Sequence, residues 1–352
     1  MKNHRENLLS LYRKQGYDFV PIDFELCPSQ IEVFKKHFKS ELDYRDYFDF
    51  SEKYVSDLTL KDYTTEKFEK YFDVHVDLID HWGVGYQNGS EAAKHMHYMV
   101  NPMKLFTTIE EFKKYPYPDY FNSDNTKLKA DIQKIKNEGY IAKAVMSCTV
   151  WEISWYLRSM EQLMTDMILN PELARYHFDR VTEISCHRAR EFALAGVDLI
   201  LTGDDIGMQN TIMMSEDMYV EWLKPRLKKI IKAAKDVNPD ILIEYHSCGY
   251  VEPFIPHLIE CGIDILNPLQ PESMDFNKIY SLYSNQIVFK GTIGTQTTMP
   301  FGSTDDVKNI VKQNLDLVGD KGGLFVCPTH MIEPEVPLEN ILAYIEACKN
   351  YK

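Results

Sequence analysis

No stretch of this chain approaches the ~18 consecutive apolar residues of a membrane span, and none reads as a signal peptide. A cytoplasmic protein is therefore expected, with no membrane partner. Basic residues are in the minority: 39 Lys and Arg stand against 53 Asp and Glu, a net charge of −14. Phosphate backbones need a basic face, so no nucleic-acid surface is expected. The acidic balance favours solubility and identifies no substrate. The seven cysteines (27, 148, 186, 248, 261, 327 and 348) are scattered and odd in number. A disulfide framework is not expected; reduced thiols, some of them on a metal, fit better. Repeats and low-complexity linkers are also missing. No domain boundary is drawn, and one domain over residues 1–352 is expected.

What is present is an ordinary globular composition, 44% hydrophobic and 26% charged over 352 residues. Strand-like and helix-like segments alternate. Strands are predicted at Phe19–Phe24, His75–Trp82, Tyr140–Met146, Val197–Thr202, Ile241–Tyr245, Ile263–Leu266, Ile287–Lys290 and Leu324–Val326. Several are β-branched or continuously apolar, as parallel strands buried on both faces are. Helix starts stand between them: Asn170-Pro171, Ser215-Glu-Asp, Ser303-Thr-Asp-Asp and Pro337-Leu-Glu-Asn. Eight strands alternating with helices predict an α/β fold, a (β/α)8 TIM barrel. Residues 25–75 and 83–138 are expected to be helical and loop insertions on it.

In such a barrel, chemistry collects at the C-terminal strand ends. There the sequence places Asp204 and Asp205, then His246 and Cys248, then Asn267 and Gln270, and finally Cys327 and His330. His246 and Cys248 are two apart at a strand end, so they point to one side. Imidazole and thiolate are favoured zinc ligands, and two on one face make half a site. Each residue also has a plainer reading. His246 and Cys248 could be packing or hydrogen-bonding groups, Cys327 a small buried hydrophobe, His330 a loop residue, and the aspartates helix caps. The other five cysteines read as inert. His75, His81, His95 and His97 share no ligand spacing. Tyr115, Tyr117, Trp151 and Trp155 read either as core or as a cover over the barrel mouth. Lys290 is the only cation expected near the strand ends.

At these residues the sequence resembles the uroporphyrinogen decarboxylase-like superfamily, and more closely its branch of corrinoid-dependent methyltransferases. The matching pieces are Thr202-Gly-Asp-Asp-Ile-Gly207, Ser215-Glu-Asp-Met-Tyr219 with Leu223-Lys-Pro-Arg226-Leu, and His246-Ser-Cys248-Gly249. Asp264-Ile-Leu-Asn267-Pro-Leu-Gln270-Pro, Lys290-Gly-Thr-Ile-Gly and Gly322-Gly with Pro337-Leu-Glu-Asn340 complete the pattern. Trp82-Gly83 and Tyr117-Pro-Asp119 also match. The likeness spans roughly residues 75–350 and implies a (β/α)8 barrel.

The resemblance further implies one zinc ion on His246, Cys248 and a later residue, activating a thiol that takes a methyl group from a corrinoid on a partner protein. The late cysteine of the family falls near His330, with Cys327 three residues earlier, and either could be the third ligand. Asp204, Asp205, His246, Asn267 and Gln270 are the expected catalytic groups. The implied acceptor is a small thiol or a folate-type carrier, and a homodimer is the default assembly. A metal-free site with His246 as an acid, base or hydrogen-bonding group is the alternative. Uroporphyrinogen decarboxylase itself is the second reading, with Asp80 in the place of its active-site aspartate. Its N-terminal arginines are missing, however: Val20-Pro-Ile-Asp-Phe-Glu25 stands there instead. A third reading is a barrel that binds a small ligand without chemistry.

Overall fold

The computed structural model describes residues 2–89 and 96–351. Among the described residues the strands are β1 (Glu52–Tyr54), β2 (Leu78–Ile79), β3 (Gly85–Asn88), β4 (His97–Val100), β5 (Ile141–Ser147), β6 (Leu199–Gly203), β7 (Leu242–His246), β8 (Ile265–Leu269), β9 (Val288–Ile293) and β10 (Leu324–Pro328). Seven of them form one sheet in the order β1-β5-β6-β7-β8-β9-β10, with every neighbouring pair parallel. Helices such as Pro171–Ala195 and Lys224–Lys235 connect successive strands. The sheet curls on itself: Glu52 on β1 and Lys290 on β9 meet across the interior at 2.7 Å.

Six of the eight predicted strands are found in this sheet. The first, Phe19–Phe24, forms no ladder. Pro21 has no N–H to give, and Asp23 turns its carboxylate to Lys290 Nζ at 2.7 Å. The segment still fills the gap between the sheet edges. Phe24 packs its ring 4.9 Å from Phe50, just before β1, and Leu26 bridges in parallel to Ile332, just past β10. The first barrel strand is instead β1, within a stretch expected to be insertion.

His75–Trp82 is also corrected. Only Leu78 and Ile79 are extended, and they belong to a separate antiparallel sheet, β2-β3-β4. Asp80 holds its turn: one oxygen accepts the N–H groups of Trp82 and Val84, and the other accepts the Tyr86 hydroxyl. His95 lies outside the described residues. Tyr115, Tyr117 and Trp151 are core, not a cover over the mouth; Trp155 is half-buried.

The barrel interior is ionic. Lys143 on β5 bonds Glu52 at 2.9 Å and Glu244 on β7 at 2.7 Å. Lys290 bonds Glu52 and Asp23, each at 2.7 Å. Tyr12 donates to the second oxygen of Glu52 at 2.6 Å. The two ammonium groups hold Glu52 well below the usual carboxylate range, overcoming its burial.

Candidate metal and active site

The parallel register sets Ser147, Gly203, His246 and Asn267 in one row across β5 to β8. Gly203 is required there: a Cβ would meet the His246 carbonyl oxygen at 2.2 Å, and its φ is +146°. This close approach lets the loop after β6 return over the mouth carrying Asp204 and Asp205.

The two aspartates part company. Asp204 is buried and accepts the backbone N–H groups of Val150 and Glu152, so it caps the helix Trp151–Arg158. Burial and the neighbouring Glu152 push its carboxyl up to about 8, against those N–H donors. Asp205 turns into the mouth. One of its oxygens accepts the Cys248 N–H at 2.7 Å and lies 4.0 Å from His246 Nε2.

His246 is oriented from behind. Its Nδ1 donates to Asn267 Oδ1 at 2.6 Å, which leaves Nε2 facing Cys248 Sγ at 3.4 Å. Ligand atoms of Asp205, His246 and Cys248 all lie within 4.8 Å of one another. Imidazole, thiolate and carboxylate together suit zinc, and three protein ligands with an open fourth position is the catalytic pattern. Burial, with Asp205 and Glu152 nearby, raises the pKa of the Cys248 thiol, and a bound cation would oppose that. The residues present therefore fit a zinc ion.

Neither Cys327 nor His330 joins this group. Cys327 is buried within β10, and burial raises its thiol pKa. The His330 ring centre is 6.5 Å from that of His246, and burial and His246 together lower its pKa. Gln270 lies under the loop, its Oε1 accepting the Gly249 N–H at 3.0 Å.

Glu152 is the residue that sequence reasoning missed. It accepts the Tyr156 hydroxyl at 2.8 Å and the Asp205 N–H at 3.1 Å, and burial raises its pKa. It sits on a helix, not at a strand end; its only sequence signal was following β5 by a few residues.

Two cavities meet here. An inner one of about 250 Å³ runs from His246 and Asn267 down to Lys143, Glu244 and Lys290. An outer one of about 520 Å³ carries Asp205, Cys248 and Gln270, and His330 and Met331 border both. The inner cavity corrects the expectation of a single cation: Lys143 and Arg45 line it as well as Lys290.

Residues 98–351 match the family model described as uroporphyrinogen decarboxylase (URO-D). A methylated-thiol–coenzyme M methyltransferase of Methanosarcina mazei is 24% identical over 207 residues, 56% of this chain and 50% of that protein. The chain thus spans about half the length of the curated relative it matches. A solved methyltransferase structure, also from Methanosarcina mazei, superposes with a TM-score of 0.72 at 19% identity, covering 100% of this chain and 99% of the other. The chain belongs to the uroporphyrinogen decarboxylase family.

Proposed function

We propose that this member of the uroporphyrinogen decarboxylase family is a methyltransferase that moves a methyl group from a methyl-corrinoid, held by a partner protein, to a small thiol. The observation that carries the reading is the convergence of Asp205, His246 and Cys248 at the barrel mouth, with Nε2 of His246 3.4 Å from the thiol sulfur. When bound there, zinc lowers the pKa of an acceptor thiol, making it a nucleophile at neutral pH. Asn267 fixes the tautomer of His246. Gln270 and the Asp205 carboxylate hold the loop 247–249 in place through its N–H groups. The acceptor sulfur takes the methyl group, and the electron pair of the broken bond stays with the donor. The inner cavity holds the rest of the acceptor, and the outer one faces the incoming donor. The relative that acts on methylated thiols supports a sulfur substrate.

Decarboxylation of a porphyrinogen is disfavoured by charge. Lys143 and Lys290 are already committed to carboxylates of the chain, which leaves Arg45 as the one remaining Lys or Arg of the cavity lining to meet the several carboxylates of such a substrate.

Methylcobalamin mixed with thiols and protein tests the reading. Thiol-dependent loss of the methyl–cobalt absorbance is expected, abolished in His246→Ala with the fold retained. Carbon dioxide release from uroporphyrinogen without any demethylation would overturn it.

A further inference from the structure

The inner cavity is lined by unlike charges that do not neutralise one another. At its floor two ammonium groups, Lys143 and Lys290, face three carboxylates, Glu52, Glu244 and Asp23, which leaves one negative charge in surplus. Asp23 and Glu244 both line the cavity, and of the two Asp23 retains more exposure, 20% of its side chain. Glu25 lines the same wall and is exposed. Opposite in sign stands Arg45. Its guanidinium lies 4.7 Å from the centre of the Tyr44 ring and 5.6 Å from that of Tyr54, and its nearest carboxylate is Asp43 at 3.9 Å. Among the described residues it pairs with neither Asp23 nor Glu25.

A guanidinium that rests on aromatic rings, with a carboxylate no nearer than 3.9 Å, still has N–H groups to offer a substrate carboxylate. An anionic tail alone would satisfy Arg45 and face the surplus negative charge. A cationic tail alone would offset that surplus and leave Arg45 unmatched. A tail carrying both charges meets both, and the cavity volume suits a molecule of a few heavy atoms beyond the sulfur.

We infer that the acceptor is a small thiol of α-amino-acid type, its carboxylate on Arg45 and its ammonium on Asp23 and Glu25. This rests on the thiol methyltransferase reading above and specifies its substrate class.

Calorimetric binding to the protein as purified tests it with three thiols of matched chain: L-homocysteine, 4-mercaptobutyrate (no ammonium) and 3-aminopropane-1-thiol (no carboxylate). Homocysteine is expected to bind about tenfold more tightly than either, the scale of one charge-assisted contact. In Arg45→Met the advantage over the aminothiol should vanish while that over mercaptobutyrate remains; Glu25→Gln should weaken the second and spare the first. Binding of either analogue within about threefold of homocysteine overturns the inference, as does an Arg45→Met protein with unchanged selectivity. Selective binding of homocysteine without demethylation of methylcobalamin would sink the methyl-transfer reading and leave the tail assignment standing. Demethylation equally fast with all three thiols would do the reverse.

Discussion

Asn267 acts at one remove from the chemistry. By accepting a hydrogen bond from the Nδ1–H of His246 it leaves Nε2 as the ligand nitrogen. Asn267→Ala removes that constraint, and outer-shell changes of this kind cost on the order of 10–100-fold in metal affinity. Competition with a coloured chelator should show that loss while thermal stability changes little. Cys248→Ala removes a ligand outright. Metal analysis of chelator-free preparations should give about one zinc per chain for the parent protein and a small fraction of that for the variant. A parent protein free of metal yet normally folded would remove thiol activation from the account. His246 and Cys248 were legible in the sequence from their spacing of two at a strand end, although Cys248 lies just past β7, on the loop 247–249. Asp205 was legible as a residue but not as the group that completes the cluster. That depends on how the loop after β6 turns, which places Asp204 inward as a cap and Asp205 outward.

Elements rest on groups that hold the backbone in place. Asp204→Ala would leave the N–H groups of Val150 and Glu152 without acceptors in a buried place. A loss of about 1–3 kcal/mol is expected in urea unfolding. His177, on the helix Pro171–Ala195, ties that helix to Trp151–Arg158. Its Nε2 donates to the Ser154 carbonyl at 2.9 Å, and its Nδ1 lies 3.1 Å from the Tyr117 hydroxyl. Burial lowers its pKa from 6.5 to about 4. Protonation therefore favours the unfolded chain. The stabilisation is complete above pH 6.5 and is lost as pH falls from 6.5 towards 4, by about 3 kcal/mol in total. His177→Gln should flatten unfolding free energy against pH over that window; an unchanged slope would assign the acid sensitivity elsewhere. At this scale the apolar strands β5 to β10 could be read from composition, because burial on both faces demands it. The strand β1, Glu-Lys-Tyr, could not. It falls in the stretch 25–75 read as helical and loop insertion, and only the lysines from β5 and β9 make Glu52 a core residue.

Across the whole molecule, the interior of the barrel is held by charge as well as by apolar packing. Lys143→Met would leave Glu52 and Glu244 buried with one cation fewer, and breaking such a pair from one side costs about 3–5 kcal/mol. Denaturant unfolding should show that loss with circular dichroism near native in dilute buffer. The charged centre was invisible to hydrophobic periodicity, since its members come from residues 23, 52, 143, 244 and 290, each ordinary in its own neighbourhood.

The segment 20–26 closes the seam between β1 and β10, and the Gln30 side chain just beyond it bonds the Val336 carbonyl, 306 positions along. On a ribosome adding roughly 5–20 residues per second, that early segment waits on the order of tens of seconds for its partner to be made. During that interval Phe24 and the edge of β1 have no final covering. The nascent chain thus carries an unfinished hydrophobic edge through most of its own synthesis, and this is the stage at which it would most need a holding chaperone.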